Sequence, residues 1–327
     1  MIISRTPFRI SFFGGGTDYP VWYTLNGGEV LATTIDKYCY ITCRYLPPFF
    51  DHKHRIVYSL IESVGKISDI KHPSVRECIK YMKIDKGLEI HHDGDLPARS
   101  GLGSSSSFTV GLLNALYALK GKMPSKKQLA LDAIYLEQKV MKENVGSQDQ
   151  VLAAYGGFNV VKFGGPNHIE VNPVTLDFNR IKCLQSHIML FFTGFSRTAS
   201  VIAQEQVKKT PQKTCELRTM KSMVSEAVKI LNSSTDIKRF GKLLDDNWKI
   251  KRKLSSKITN SAIDDIYSAA IRAGALGGKL LGAGGGGFMI IFAEPGKQKK
   301  IRKKLSKFLH VPFKFENLGS QIIFYNP

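Results

Sequence analysis

The chain has 327 residues, enough to bury a large core and to suggest roughly two domains. Its formal charge is +20, and the surplus is uneven: from residue 201 onward 24 Lys and Arg stand against 10 Asp and Glu, while the first 200 residues hold 23 against 17. No apolar run approaches the roughly 20 residues of a membrane helix, and Met1 to Pro7 lacks a signal peptide's apolar stretch, so a cytoplasmic protein with no membrane partner is expected.

Short strands rich in β-branched residues open the chain, at Met1 to Thr6, Gly28 to Ile35, Tyr38 to Leu46 and Arg55 to Ile61, followed by a helix over Pro73 to Lys83 and a strand around Ile90. A largely buried helix is expected from Phe108 to Leu119. Another runs from Lys126 to Lys142, capped by Ser125 and stopped at Asn144-Val145-Gly146. A short helix begins at Ser147, and Phe158 to Phe163 is a strand. The polar stretch 165–180 marks the boundary between domains 1–175 and 176–327. Beyond it come a strand at His187 to Thr193, helices at Ala199 to Lys209, Gln212 to Leu231, Ile237 to Leu254 and Ile263 to Ala273, and strands at Phe288 to Ala293 and Gln321 to Tyr325. Both halves read as α+β. Between the last two strands, Lys297 to Phe308 repeats Ile301, Leu305 and Phe308 at helical spacing, the mark of a helix that buries one stripe and solvates its cations. No nucleic-acid-binding module accompanies it, so no nucleic-acid partner is expected. The five cysteines, Cys39, Cys43, Cys78, Cys183 and Cys215, are odd in number and scattered, which argues against a disulfide framework or a zinc site and for small buried side chains.

The stretch Pro97-Ala98-Arg99-Ser100-Gly101-Leu102-Gly103-Ser104-Ser105-Ser106-Ser107 lies between a strand and a helix and reads as a phosphate cradle. Gly101 and Gly103 let backbone approach a ligand, the helix start offers unpaired N–H groups, and four hydroxyls add donors or an oxygen ligand for Mg²⁺. A plain helix cap would need one serine. Arg99 inside it either touches phosphate or points to solvent. Gly282 to Gly287 also satisfies G-x-G-x-x-G, but a helix precedes it and a strand follows, the reverse of a dinucleotide fingerprint. Its backbone must still pass close to a ligand or another loop. Glu137 and Asp149, twelve residues apart across a helix and a turn, can converge: one carboxylate suits Mg²⁺, the other an acceptor hydroxyl, and both are also consistent with ordinary helix surface.

Three ordered motifs resemble the superfamily of galactokinase, homoserine kinase, mevalonate kinase and phosphomevalonate kinase: Thr6 to Ile10 through Gly16-Thr17-Asp18, the cradle, and Lys279 to Gly286. The resemblance implies a two-domain α+β fold, with a left-handed β-α-β unit in the N-terminal domain, a ferredoxin-like C-terminal domain and ATP between them. Within the superfamily, Ser11 to Pro20 and Thr193 to Ser200 are similar to kinases of D-glycero-D-manno-heptose 7-phosphate. This similarity implies an enzyme that uses ATP and Mg²⁺ to phosphorylate the anomeric hydroxyl of that small-molecule sugar phosphate, supplying nucleotide-activated heptose for surface polysaccharide. Fucokinase-like kinases of unphosphorylated sugars share the glycine-rich acceptor loop and are the nearest alternative. A non-catalytic sugar sensor on the same fold is the other, and a homo-oligomer is left open.

By the same resemblance, Asp149 activates the acceptor beside Arg9, and an aspartate paired with that cation is a weak base that orients more than it deprotonates. ATP would be held by Pro97 and by Ser100 to Ser107, the metal by Ser105 and Glu137. The sugar would be held by Arg9, Gly15, Gly16, Thr17, Asp18, Asp149, Ser196, Arg197, Gly284 and Gly285, with Arg197 reading the sugar's own phosphate.

Overall fold

The structure is a computed structural model, and it describes residues 1–165, 168–194 and 199–326. Two long antiparallel strands, β1 (Ile2–Phe13) and β2 (Gly28–Tyr45), form the spine of the first sheet, with a short helix α1 (Pro20–Asn26) between them. Where the sequence pattern predicts two strands, β2 runs through, because the break becomes a bulge: Pro7, with no N–H to donate, pairs with Tyr38, while Phe8 already pairs with Ile35.

The expected strand over Arg55 to Ile61 is a hairpin, β3 (His54–Val57) and β4 (Ile61–Val64), and after α2 (Pro73–Tyr81) the chain returns as β5 (Leu88–Gly94), parallel to β3. Helices α3 (Ser104–Leu119), α4 (Lys126–Tyr135) and α5 (Gln148–Tyr155) follow; α3 and α5 pack on β1 and β2, and α4 packs on both of them. Ser125 caps α4 as expected, accepting from Gln128 N at 3.1 Å. The expected single helix to Lys142 instead passes into a π turn over Leu136–Val140, where Met141 N reaches the Leu136 carbonyl at 2.8 Å. Then β6 (Phe158–Phe163) pairs with β2, and β7 (Ile169–Pro173), inside the stretch read as a boundary, pairs with β6.

After α6 (Phe178–Ser186) a second sheet begins. Its strands are β8 (Ile188–Phe192), β9 (Gly277–Leu280), β10 (Phe288–Phe292) and β11 (Leu309–His310), in the order β11-β8-β10-β9 and all antiparallel. Helices α7 (Ala199–Lys209), α8 (Thr214–Leu231), α9 (Lys238–Lys251) and α10 (Ser261–Arg272) fill the first crossover, and α11 (Pro295–Lys304) the second. This β-α-β-β-α-β order is that of a ferredoxin-like unit. The last strands, β12 (Phe315–Glu316) and β13 (Gln321–Tyr325), return to the first sheet beside β2 and β1, so β13 covers an edge that β1 would otherwise expose.

The sheets share a core. Phe12 and Phe13 of β1 meet Phe240 of α9 edge to face at 5.6 and 5.1 Å between ring centroids, and Phe240 meets Phe292 of β10 at 6.0 Å. The basic helix α11 buries Ile301 and solvates Arg302, Lys303 and Lys304; Leu305, just past its end, is buried too, and Phe308 partly so. Cys39, Cys43 and Cys78 are buried as expected, while Cys183 is half-buried and Cys215 exposed.

Candidate active site

The cradle is a loop whose helix starts four residues earlier than expected. Gly103 adopts a left-handed conformation (φ 77°) and α3 begins at Ser104, so the serine run is the helix's first turn and its leading N–H groups have no intrahelical carbonyl to reach. Successive residues then turn by about 100°, and the serines separate. Ser104 Oγ accepts from Arg99 N at 3.0 Å, Ser105 is exposed, Ser106 Oγ donates to Glu137 Oε2 at 2.8 Å, and Ser107 Oγ donates to the Pro7 carbonyl at 3.0 Å. The expectation of four hydroxyls on phosphate is thus corrected: Ser106 and Ser107 face inward and are engaged. Ser100 Oγ is buried without a partner among the described residues, Leu102 is buried, and Pro97 and Arg99 are exposed.

What the second glycine run approaches is the cradle itself. A Cβ on Gly101 would lie 2.6 Å from the Leu281 carbonyl oxygen, and one on Gly282 would lie 2.5 Å from Gly101 Cα. Phe288 N donates to the Ser100 carbonyl at 3.0 Å. The two loops therefore interlock, one from each sheet. Gly284 and Gly285, expected to hold the sugar, pack against Ile258: Gly285 N donates to its carbonyl at 2.9 Å, which removes that donor from any ligand.

Directly under the cradle, Arg9 and Asp149 form a bidentate pair, Nε to Oδ1 and Nη2 to Oδ2 both at 2.8 Å, and Arg9 Nη1 donates to the Gly101 carbonyl at 2.7 Å. A Cβ on Gly103 would lie 3.4 Å from Asp149 Oδ2, so the loop backbone rests on the ion pair. Asp149 comes from the first turn of α5 and Arg9 from β1.

The acceptor loop is tied to the same corner. Asp18 is buried, accepts from Gly16 N at 2.8 Å, and has its carboxyl pushed above the usual range by burial and by the neighbouring Asp149 charge. Its backbone carbonyl accepts from Ser147 N at 2.9 Å, and a Cβ on Gly146 would lie 1.9 Å from Asp18 Oδ2. Gly146, expected only as a helix stop, is what lets the chain pass that carboxylate. Thr17, expected to hold the sugar, is fully buried with its hydroxyl committed to the carbonyls of Gly14 at 2.8 Å and Glu29 at 2.9 Å; it shapes the loop instead. Gly15 is the half-buried member of the glycine triplet, between buried Gly14 and Gly16. Ser196 and Arg197 lie outside the described residues.

Glu137, in the π turn, is fully buried, and its carboxyl is pushed up to about 7 by burial and by the nearby Glu143 charge. Ser106 and the Gln150 amide donate to Oε2, whereas Oε1 has no partner among the described residues. A buried carboxylate with one orphaned oxygen beside a serine-rich helix start fits a Mg²⁺ ligand. Ser106, not the expected Ser105, is the serine in contact with it; Ser105 stays on the open side of the turn.

Two buried lysines join the site: Lys279, which opens the third motif, and Lys251, which did not stand out in the sequence. Lys279 Nζ donates to the Phe12 carbonyl at 2.8 Å, just ahead of the acceptor loop, and Lys251 Nζ donates to the carbonyls of Gly282 at 2.6 Å and Leu280 at 3.2 Å. Burial and the charge of Arg9 push Lys251 down to about 8, and burial with the Lys251 charge takes Lys279 well below its ordinary value. Lys251 sits in the basic run Lys249 to Lys253, which reads as solvated surface. Lys279, alone among apolar and glycine neighbours, was the legible signal.

Comparison with known proteins gives the family. The family description "GHMP kinases N terminal domain" matches residues 73–157 and "GHMP kinases C terminal" matches residues 223–311. The chain is 29% identical to D-glycero-alpha-D-manno-heptose 7-phosphate kinase of Campylobacter jejuni over 94% of this chain and 93% of that protein. It is 24% identical to the bifunctional fucokinase/GDP-fucose pyrophosphorylase of Arabidopsis thaliana, over 95% of this chain but 32% of that protein. The fold is similar to the crystal structure of a D-glycero-D-manno-heptose 1-phosphate kinase from Bacteroides thetaiotaomicron, with TM-score 0.79, 24% identity and full coverage of both chains. With both family domains matched in order and the cradle interlocked between them, the chain belongs to the GHMP kinase family and is a sugar kinase that uses ATP.

Proposed function

We propose that this kinase transfers the γ-phosphoryl group of ATP to the anomeric hydroxyl of D-glycero-D-manno-heptose 7-phosphate, forming the 1,7-bisphosphate. The observation that carries this is the Arg9–Asp149 pair pressed against the cradle backbone, with Asp18 and the Gly14 to Gly16 turn beside it. The first-turn N–H groups of α3 bind the phosphates, and Ser105 adds its hydroxyl from the open side. Arg9 holds both Asp149 oxygens, so Asp149 orients the sugar hydroxyl in line with the phosphoryl group and takes its proton late, which a loose transfer demands. Arg9 also carries positive charge to the reacting oxygen. Glu137 Oε1, with a serine hydroxyl of the first turn, would hold Mg²⁺, which when bound neutralises phosphate charge. The similarity to a heptose 7-phosphate kinase across nearly the whole chain supports the acceptor.

The reading is tested by phosphorylation of a panel containing the heptose 7-phosphate, hexose 6-phosphates, fucose and galactose, with the position of the new phosphate read by ³¹P–¹H coupling. A heptose 1,7-bisphosphate as the preferred product supports it. Preference for fucose would transfer the assignment to unphosphorylated sugars, and product phosphorylated away from C1 would overturn the position.

A further inference from the structure

Three glutamines surround the head of α5, and two of them have their amide N–H groups engaged. Gln150 donates its amide to Glu137, and Gln138 donates to the Ser147 hydroxyl at 3.0 Å and to the Val145 carbonyl at 3.2 Å. Gln148 is 8% exposed and its Oε1 has no hydrogen-bond partner among the described residues; Gln150 Oε1 lacks one too, but its amide is already engaged by Glu137, whereas no side-chain bond of Gln148 is formed among those residues. Ser11 on β1 is 5% exposed, and its hydroxyl lacks a partner among them as well.

These two groups converge on the acceptor loop. A Cβ placed on Gly15 would lie 3.6 Å from Ser11 Oγ and 3.8 Å from Gln148 Nε2. Gly15 does not have a left-handed backbone, unlike Gly14 and Gly16, so conformation does not demand a glycine there. Nor does space, since a Cβ would make only ordinary contacts; the missing side chain leaves a notch walled by an amide and a hydroxyl. Buried polar groups are normally paired, and an unpaired hydroxyl together with the amide of a side chain whose oxygen is unpaired, both at one notch, mark a place where a ligand completes them. Both carry a donor and an acceptor and neither carries charge, which suits a hydroxyl better than a phosphate.

We propose that Ser11 and Gln148 form a subsite that reads a second hydroxyl of the acceptor sugar, the neighbour of the hydroxyl that Asp149 orients. This rests on the sugar-kinase reading; with C1 as the phosphorylated position, the hydroxyl read is the one on C2. Gln148, adjacent to Asp149 in the chain, then sets which sugars align their reactive oxygen.

The test compares wild type with Gln148→Met and Gly15→Ala, using the best acceptor of the panel and its 2-deoxy analogue. Gln148→Met keeps the side chain's length and removes its polar atoms. Gly15→Ala fills the notch at ordinary contact distances, and so keeps the test readable if Gln148→Met fails to fold. Each variant is expected to raise the sugar KM about tenfold or more while kcat and the ATP KM change by less than about threefold. Wild type should lose a similar factor on the 2-deoxy sugar, and Gln148→Met should not. A wild type that phosphorylates no sugar overturns the function and the subsite together. An active wild type whose folded variants keep the wild-type sugar KM overturns the subsite alone.

Discussion

The phosphate cradle and the acceptor loop are both glycine-rich, both lie within reach of the same ion pair, and differ in what they leave unsatisfied. In the cradle the open groups are main-chain N–H groups at the start of α3 and the single hydroxyl of Ser100, while Ser106 and Ser107 are already bonded to Glu137 and Pro7. Around the acceptor loop the main chain is closed by Thr17 and Asp18, and the open groups are side chains, Ser11 and Gln148. Backbone donors recognise any phosphate. Side chains distinguish one sugar from another, so on the proposed reading the general half of the reaction would lie in the cradle and the selective half in the loop.

Substitutions should separate the halves. The largest effect is expected from Asp149→Asn, which touches the junction: turnover should fall by about 10²- to 10⁴-fold while ATP affinity, measured by equilibrium binding, stays within a few-fold. Glu137→Gln belongs to the cradle side and should weaken the apparent Mg²⁺ affinity at least about tenfold, leaving the sugar KM unchanged; a Mg²⁺ titration of initial rates decides. Gly101→Ala puts a Cβ against the Leu281 carbonyl at a backbone φ of 85°. It should raise the ATP KM more than the sugar KM and destabilise the fold by about 1–3 kcal/mol, read by denaturant unfolding.

The last effect is one of pH, on stability and not on turnover. Lys251 keeps its proton in the unfolded chain up to its ordinary value of 10.5 but loses it at about 8 when folded. Between those values the unfolded state binds more protons, so stability rises with pH. Wild type should therefore gain on Lys251→Met from pH 8 to 10.5, by at most about 3 kcal/mol, in parallel unfolding series. Parallel curves would mean that Lys251 is not held neutral by burial.

Much of this site was legible because its chemistry depends on residue type. Two glycines before a serine run, and a carboxylate on each side of a helix stop, single out a candidate phosphate site and candidate acids without any coordinates. Strand Phe158–Phe163 and helix Ala199–Lys209 were equally plain, since their periodicities are local. What could not be read depends on distant partners. The helix starts inside the serine run because Gly103 breaks the chain there against Arg9 and Asp149, and the serines' separate fates follow from that one boundary. The π turn that swings Glu137 inward, the return of Gln321–Tyr325 to β1, and the burial of Lys251 are all settled by packing across the two sheets. The resemblance implied that Thr17 holds the sugar; the carbonyls of Gly14 and Glu29 engage its hydroxyl instead.

If the proposed transfer is right, Arg9 and Asp149 act as one unit that presents the hydroxyl to the cradle. A double-mutant cycle on turnover, using Arg9→Met, Asp149→Asn and the double variant, puts that unit to the test. The double variant should be no slower than the slower single one, because either substitution already dissolves the unit. Losses that multiply would refute the unit, and would mean that the two residues serve the reaction independently.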